Sequence, residues 1–109
     1  MALKKADNDA FEDTHAEAYH KVGKWSFYEL YGQPRIQCTV FTYRSQADRD
    51  FNMAERAKDE PDKSLMKPVI QQRDFTFTVE DFGGKDKLTM AETYKLLKKS
   101  DFFVDAVDA

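Results

Sequence analysis

The stretch from residue 35 to residue 44 constrains the fold most, because it alternates as a β-strand with bulky residues on both faces. Its apolar and β-branched side chains are Ile36, Cys38 and Val40 on one face and Thr39, Phe41 and Tyr43 on the other. We expect both faces to be covered at least in part. The short connection Gly32-Gln33-Pro34 precedes the strand and predicts an antiparallel hairpin with the segment before it.

The segment from residue 19 to residue 31 is rich in aromatic residues and is the predicted first strand of that hairpin. Trp25 and Phe27 fall on one of its faces. The opposite face carries three further large residues, Val22, Tyr28 and Leu30. Because the pattern changes face near Gly23, we predict a β-bulge at this glycine.

Two helices and a third strand are predicted after the hairpin. Ser45 is a candidate N-cap for a short helix whose narrow apolar stripe consists of Ala47, Phe51 and Ala54. A charged loop over 58–68 follows, and the stretch Val69–Asp81 then alternates as a strand with one polar face.

The helix near the C-terminus has the clearest local signal. Thr89 and Glu92 form a Thr-x-x-Glu capping box ahead of an apolar stripe of Met90, Tyr94 and Leu97. The sequence therefore predicts an α+β fold with an antiparallel sheet of about three main strands and a principal C-terminal helix packed on one face. Residues 1–18 are predicted to be a mobile acidic arm, and residues 19–109 a single domain with the charged loop at 58–68.

The charge distribution argues against a broad electrostatic contact with nucleic acid. The 17 basic and 20 acidic side chains give a net charge of −3, with −3 in residues 1–18, −2 in residues 99–109 and +2 between them. The acidic ends are either solvated or dock on a basic patch of a neighbouring copy. Aromatic residues near Arg35, Arg44 and Arg73 leave a small nucleic-acid-binding or regulatory protein as the alternative, using an aromatic sheet face.

Candidate catalytic and metal-binding groups are few. The single Cys38 cannot form an internal disulfide and is predicted to be a buried strand thiol. His15 and His20 are five residues apart, a spacing that suits neither a helical nor a strand metal site. We therefore predict no enzyme activity, no cofactor and no metal. The N-terminal region has no apolar run of the kind that follows the charges of a signal peptide, and no stretch has membrane-spanning length.

The aromatic residues exceed what one helix over one sheet face can bury, which predicts an interaction surface. Buried aromatic residues dominate the energetics of interfaces. The first candidate anchors are Trp25, Phe27, Phe41 and Tyr43. The second candidate surface is the C-terminal cluster of Phe102, Phe103 and Val107. Self-association is the simplest way to cover them.

The order of these segments matches a recognisable arrangement. The segments that carry it are Tyr43-Arg44-Ser45, Ala47-Asp48-Arg49, Arg73-Asp74-Phe75-Thr76-Phe77, Ala91-Glu92-Thr93-Tyr94-Lys95-Leu96-Leu97 and Asp101-Phe102-Phe103-Val104-Asp105-Ala106-Val107-Asp108. This arrangement resembles small single-domain proteins encoded among the structural genes of tailed bacteriophages and prophages. Those proteins have a Tyr-x-Phe strand, a Tyr-x-x-Leu-Lys helix and a short Phe…Ala…Asp ending.

The resemblance covers roughly residues 17–109 and implies a virion or tail-morphogenesis component that acts by binding rather than catalysis. It supplies no active-site residues. The expected partners are further copies of the chain and other phage structural proteins, without nucleic acid or membrane. The expected location is the virion, or the host bacterial cytoplasm during assembly.

Overall fold

The central hairpin of the sequence prediction forms the middle of a larger antiparallel sheet. The computed structural model describes residues 2–9, 11–78 and 89–109. Its strands are β1 (Leu3–Lys4), β2 (Asp7–Asn8), β3 (Thr14–His15), β4 (Tyr19–Leu30), β5 (Gln33–Tyr43), β6 (Val69–Thr78) and β7 (Val107–Asp108). Five of them form one sheet in the order β6-β5-β4-β1-β7, and β2 pairs with β3 separately. Every pairing in the larger sheet is antiparallel.

The β4–β5 hairpin confirms the predicted pairing and the predicted bulge. Its register shifts between Val22 and Lys24, which leaves Gly23 as the extra residue. Because of the bulge, Trp25 and Phe27 lie on the same face of the sheet as Val22. The uninterrupted alternation predicts that Val22 lies on the opposite face from these two residues.

Leu30 pairs with Gln33 across a two-residue turn, and Tyr31 and Gly32 in that turn both have positive φ. The predicted connection Gly32-Gln33-Pro34 is wrong in its position, because Gln33 and Pro34 already pair with β4.

The described residues form two α-helices beside the sheet, and the caps of these helices follow the sequence signals. Helix α1 (Gln46–Arg56) begins after Ser45, whose hydroxyl accepts from the backbone N–H of Asp48. Helix α2 (Met90–Leu97) begins after Thr89 with the complete predicted capping box. A single 3₁₀ turn spans Lys63–Leu65 in the charged loop.

The predicted apolar stripe of α1 is wrong. Phe51 is exposed, whereas the buried side chains of this helix are Asn52 and Glu55. The amide of Asn52 donates to the carbonyl oxygen of Lys67 at 2.9 Å and accepts from its N–H at 2.7 Å. Glu55 accepts from the backbone N–H of Asp62. Helix α1 therefore organises the charged loop through polar contacts.

The main core lies between the sheet and α2. Helix α2 contributes four buried residues, and the hydroxyl of Tyr94 accepts from the backbone N–H of Val22 beside the bulge. The buried apolar cluster consists of Leu3, Val22, Ile36, Cys38, Val40, Phe77, Tyr94, Leu96, Leu97, Phe103 and Ala106.

The predicted architecture of three strands with a principal C-terminal helix is wrong. In the described part of the chain the larger sheet has five strands and a second sheet has two. The longer helix is mid-chain, since α1 has 11 residues and α2 has 8. The additional strands have two residues each, which is too short for any period to be seen in the sequence. Val79, Glu80 and Asp81 of the predicted third strand lie outside the described residues.

The segment predicted to be a mobile arm contains β1, β2 and β3. Within it, Leu3 is fully buried and belongs to the main core. β1 pairs with β4 on one side and with β7 on the other, so the N-terminal and C-terminal segments meet in the sheet. The polar composition of the segment conceals this contact, because its buried apolar residues, among those described, are few and small apart from Leu3: Ala2, Leu3 and Ala18.

Candidate interaction surfaces

The seven residues predicted to form an interface lie in separate parts of the molecule. Trp25 and Phe27 lie on the face of the sheet that carries the main core, toward the turn of the hairpin. The other members are Tyr43 in a second cluster with Phe41 against it, Phe103 in the main core with Phe102 against it, and Val107 in β7. They do not form one continuous patch, so each location has its own role.

The turn end of the β4–β5 hairpin carries the most exposed aromatic side chains of the sheet. Phe27 contacts Trp25 edge to face at 5.0 Å and is 38% exposed. Tyr28 points to the opposite face and is 39% exposed, while Tyr31 in the turn is 94% exposed. Trp25 is partly buried against the main core, and its ring contacts the ring of Phe27. We call Phe27, Tyr28 and Tyr31 the hairpin-end patch.

Tyr31 adopts a backbone conformation that disfavours a tyrosine. Its φ is +52° and that of Gly32 is +75°, as a two-residue type I′ hairpin turn requires. Asn, Asp or Gly fits the first position of such a turn with less strain, and left-handed backbone in other residues costs about 1–3 kcal/mol. Sequence reasoning missed Tyr28 and Tyr31, and the signal was the Tyr31-Gly32 pair between two alternating strands.

Phe41 and Tyr43 are covered within the molecule. Tyr43 packs with Ala2 and Tyr19 in a second buried cluster, and Phe41 packs against this cluster. The ring of Phe41 also occupies the space above Gly23. These two aromatic residues therefore contribute little free surface for docking.

The C-terminal cluster is held against the sheet by ring–ring contacts and by cation–π contacts to Phe102. Phe103 is fully buried, and Phe102 meets it edge to face at 4.7 Å. The guanidinium carbon of Arg73 lies 3.9 Å from the centroid of the Phe102 ring, and the Nζ of Lys5 lies 4.9 Å from it. Val107 remains 58% exposed. Phe102 and Phe103 thus join the termini to the sheet.

A buried polar network lies beside this cluster. Arg73 donates two hydrogen bonds to the carboxylate of Asp7, at 2.6 and 3.0 Å. His20 is fully buried, with Nδ1 2.7 Å from the hydroxyl of Thr42 and Nε2 2.9 Å from the carbonyl oxygen of Lys5. Because a carbonyl only accepts, Nε2 carries the hydrogen and Nδ1 accepts from Thr42. Burial lowers the pKa of His20.

The three arginines considered for nucleic-acid contact do not form a common basic face. Arg73 is paired with Asp7, and Arg44 donates to the carboxylate of Asp48 at 2.9 Å. Arg35 is half-buried opposite Tyr28. Two of the three positive charges are therefore matched by carboxylates within the chain.

Cys38, the one cysteine of the sequence, is buried in the core. Burial raises the pKa of the Cys38 thiol to about 11, so the thiolate that acts as a nucleophile is scarce. A shallow pocket of about 270 Å³ is lined by Asp9, Phe11, Arg44, Pro68, Val69 and Ile70.

Within the ranges described, no group of three or more His, Cys, Asp or Glu residues could hold a metal ion. Neither described helix has the length and apolarity needed to cross a membrane.

Comparison with protein-family models, with curated proteins and with solved structures finds no match to this chain. The functional assignment therefore depends on the surfaces of the molecule and on the arrangement of its sequence segments. Among those surfaces, the hairpin-end patch combines exposure with backbone strain.

Proposed function

We propose that this chain is a non-enzymatic phage or prophage protein of the virion or of tail morphogenesis, which acts by self-assembly and protein–protein docking. The single observation that carries the docking role is Tyr31, which is 94% exposed in a turn where its backbone has positive φ. The turn requires positive φ at this position but does not require a tyrosine, and strained residues of this kind are concentrated at functional sites.

The surroundings of Tyr31 support a docking role. Phe27 and Tyr28 are also exposed and lie on opposite faces of the same hairpin. Aromatic residues of this kind are enriched among the residues that dominate binding energy, because they present a large rigid surface at low entropic cost. The hairpin therefore suits insertion into a groove or a junction of a partner protein.

The buried reactive groups support binding over catalysis. The imidazole of His20 uses both nitrogens in hydrogen bonds that hold the N-terminal segment to β5. The thiol of Cys38 is enclosed in the core with a raised pKa. These groups are engaged in folding, whereas the side chain of Tyr31 is 94% exposed.

The assignment to a phage particle comes from the resemblance of the sequence to small structural proteins of tailed phages and prophages. The proposed partners are further copies of the chain and other phage structural proteins. The proposed location is the virion, or the host bacterial cytoplasm during assembly.

Mass spectrometry of purified particles tests this function. The phage or induced prophage that encodes the chain is expected to contain it in particles or in tail intermediates, and its gene is expected to lie among head or tail genes. Absence from both, together with a housekeeping gene neighbourhood, would refute the proposal. A salt-dependent shift of single-stranded DNA by the purified chain would instead favour the nucleic-acid alternative.

A further inference from the structure

The pocket at the start of β6 and the turn of the β4–β5 hairpin lie at opposite ends of the sheet. Val69 of the pocket pairs with Tyr43 at the end of β5, whereas the turn of Tyr31 and Gly32 directly precedes the start of β5. β5 has 11 residues, which extend over about 35 Å in a strand. The hairpin turn of one chain therefore does not reach the pocket of the same chain.

The two most exposed large apolar side chains in the described part of the chain lie at these two ends. Tyr31 in the turn is 94% exposed, and Phe11 on the rim of the pocket is 88% exposed. Removing both rings from water is favourable, and two aromatic rings in contact gain further stabilisation. Because of the separation within one chain, this contact forms between two chains.

The size and the lining of the pocket suit one tyrosine side chain. The pocket volume is about 270 Å³, below the range of about 300–1,000 Å³ that is typical of sites for drug-sized ligands. A cavity of about 150 Å³ is enough to bind a benzene ring. Phe11, Pro68 and Val69 provide apolar walls, while Asp9 and Arg44 provide polar groups. A buried tyrosine needs this combination, because its hydroxyl requires a hydrogen-bond partner.

Both polar groups of the pocket can make a further hydrogen bond. The carboxylate of Asp9 accepts from two backbone N–H groups of its own loop and lies 3.0 Å from Nε2 of His15. A carboxylate has about four lone-pair positions, so one is left for a phenol hydroxyl. Arg44 donates through Nε to Asp48, and its guanidinium has further N–H donors on the two terminal nitrogens. These donors suit a second carboxylate.

The charges of the two ends are complementary. Glu29 is exposed two residues before Tyr31. Arg44 is exposed at the pocket. A tyrosine that enters the pocket from a second chain brings the neighbouring glutamate toward this arginine. An exposed ion pair of this kind adds little affinity, but it orients the two chains.

We propose that Tyr31 of one copy of this chain inserts into the pocket of a second copy, so that the copies assemble head to tail. The Tyr31 hydroxyl donates to Asp9 of the second copy, its ring contacts Phe11 and Val69, and Glu29 pairs with Arg44. This inference rests on the docking role proposed for the hairpin-end patch, and it names the partner and the receiving site.

The contact is heterologous, because it joins two different surfaces of the chain. Such contacts give rings when the rotation between copies closes and filaments when it does not. An aromatic side chain buries about 150–250 Å², whereas a stable interface buries about 1,200–2,000 Å². A single contact is therefore weak, and the assembled fraction should increase with concentration from the micromolar to the millimolar range.

Two variants that each block one end test the contact by analytical ultracentrifugation. Tyr31→Asn removes the inserted ring, and Val69→Trp fills the pocket with a ring of the same chain. Each variant alone should self-associate at least tenfold more weakly than the wild-type chain. A mixture of the two should form a heterodimer and no larger species, because the Val69→Trp chain keeps Tyr31 and the Tyr31→Asn chain keeps the open pocket. The heterodimer also shows that both variants are folded.

Val104→Asn is the matched control for the loss of an exposed apolar side chain. Val104 is exposed and does not line the pocket. This variant should assemble like the wild-type chain, and a mixture of Val104→Asn with Tyr31→Asn should assemble no better than Tyr31→Asn mixed with the wild-type chain.

Charge reversal tests the orientation of the two copies. Glu29→Arg and Arg44→Glu each place like charges at the contact and should weaken self-association roughly fivefold at low salt. The double variant restores opposite charges and should assemble like the wild-type chain. Its recovery separates a lost contact from a damaged fold, because the two positions lie at opposite ends of the chain's own sheet. Lys95→Glu on α2 is the control for a reversed surface charge and should have no effect.

The outcomes separate this contact from the proposed function. A wild-type chain that stays monomeric up to millimolar concentration, or a mixture of the blocked variants that gives no heterodimer, would overturn head-to-tail assembly. A dimer formed by each blocked variant alone would also overturn it. If the chain is nevertheless present in particles, the proposed function still stands. A heterodimer from the mixture, together with absence of the chain from particles, would refute the function and retain the contact.

Discussion

The ring of Phe41 on β5 fills the space above Gly23 on β4, where a Cβ atom would overlap it. Gly23 is also the bulged residue that shifts the register between these strands. The glycine thus serves two purposes, since it permits the bulge and admits the aromatic ring. Covering a glycine with a cross-strand aromatic ring also keeps Phe41 on the molecule rather than in solvent.

Substitution of Gly23 should therefore act through Phe41. We expect Gly23→Ala to destabilise the fold by about 1–3 kcal/mol, because the added methyl group displaces the ring. In the background of Phe41→Leu the same substitution should cost much less. Urea unfolding of the four proteins in this double-mutant cycle measures the coupling, and purely additive effects would contradict the contact.

Leu3 tests whether the N-terminal segment is part of the folded core. Leu3→Ala should lower the free energy of unfolding by about 2–5 kcal/mol, because it leaves a cavity beneath β1. Phe11→Ala is the matched control, since Phe11 is 88% exposed, and its effect should stay within about 0.5 kcal/mol. Equal effects of the two substitutions would favour the mobile arm that the sequence predicts.

His20 gives stability a dependence on pH. Burial lowers its pKa in the folded chain below the ordinary value of 6.5, so the unfolded chain binds the proton first as the pH falls. The contribution to stability is complete above about pH 6.5 and is lost as the pH falls toward the folded pKa. Denaturation midpoints from pH 8 to pH 5 should show this loss, and a His20→Gln variant should show a flatter profile. Equal slopes for both proteins would contradict the assignment.

The ion pair of Arg73 and Asp7 should hold the N-terminal segment to β6. Asp7→Ala removes two charge-assisted hydrogen bonds and should cost about 1.5–3 kcal/mol. The amide hydrogen-exchange rates of β1, β2 and β3 should then increase more than those of β5. Glu17→Ala is the comparison, because the pair of Glu17 and Lys4 is exposed and should contribute little. Unchanged exchange in β1–β3 after Asp7→Ala would refute this role.

Local patterns in the sequence predicted the features that depend on neighbouring residues. The β4–β5 hairpin, the Gly23 bulge and the Thr89 capping box follow from alternation and cap chemistry. The strands β1 and β7 could not be predicted, because two residues show no period and their pairing joins opposite ends of the chain.

The candidate surfaces were harder to predict than the strands. The alternation places Phe41 and Tyr43 on one face of the strand. In the structure Phe41 packs over Gly23 and Tyr43 packs against Ala2, and nothing in the sequence pattern predicts these two contacts. The buried face of α1 is polar and depends on contacts with the loop after it. The sequence does not single out Tyr28 and Tyr31 as surface residues, because the exposure of their side chains depends on the position of the turn at Tyr31-Gly32.

Substitution of Tyr31 should change stability and docking in opposite directions. Asn adopts positive φ more readily than tyrosine, so Tyr31→Asn should stabilise the isolated chain by about 1 kcal/mol. The same substitution removes the most exposed aromatic ring of the hairpin-end patch. A thermal unfolding experiment measures the gain, and a loss of stability would contradict the strain at this turn.

The most direct test of the account is the incorporation of a Tyr28→Ser/Tyr31→Asn variant into phage particles. A phage or lysogen lacking its own copy of the gene is complemented with either the wild-type chain or this variant, and particle-bound chain is measured by quantitative mass spectrometry. We expect the wild-type chain in the particles and at least a tenfold lower amount of the folded variant, roughly the effect of losing one binding hot spot. Equal incorporation of the two chains, or no wild-type chain in the particles, would contradict docking through the hairpin-end patch.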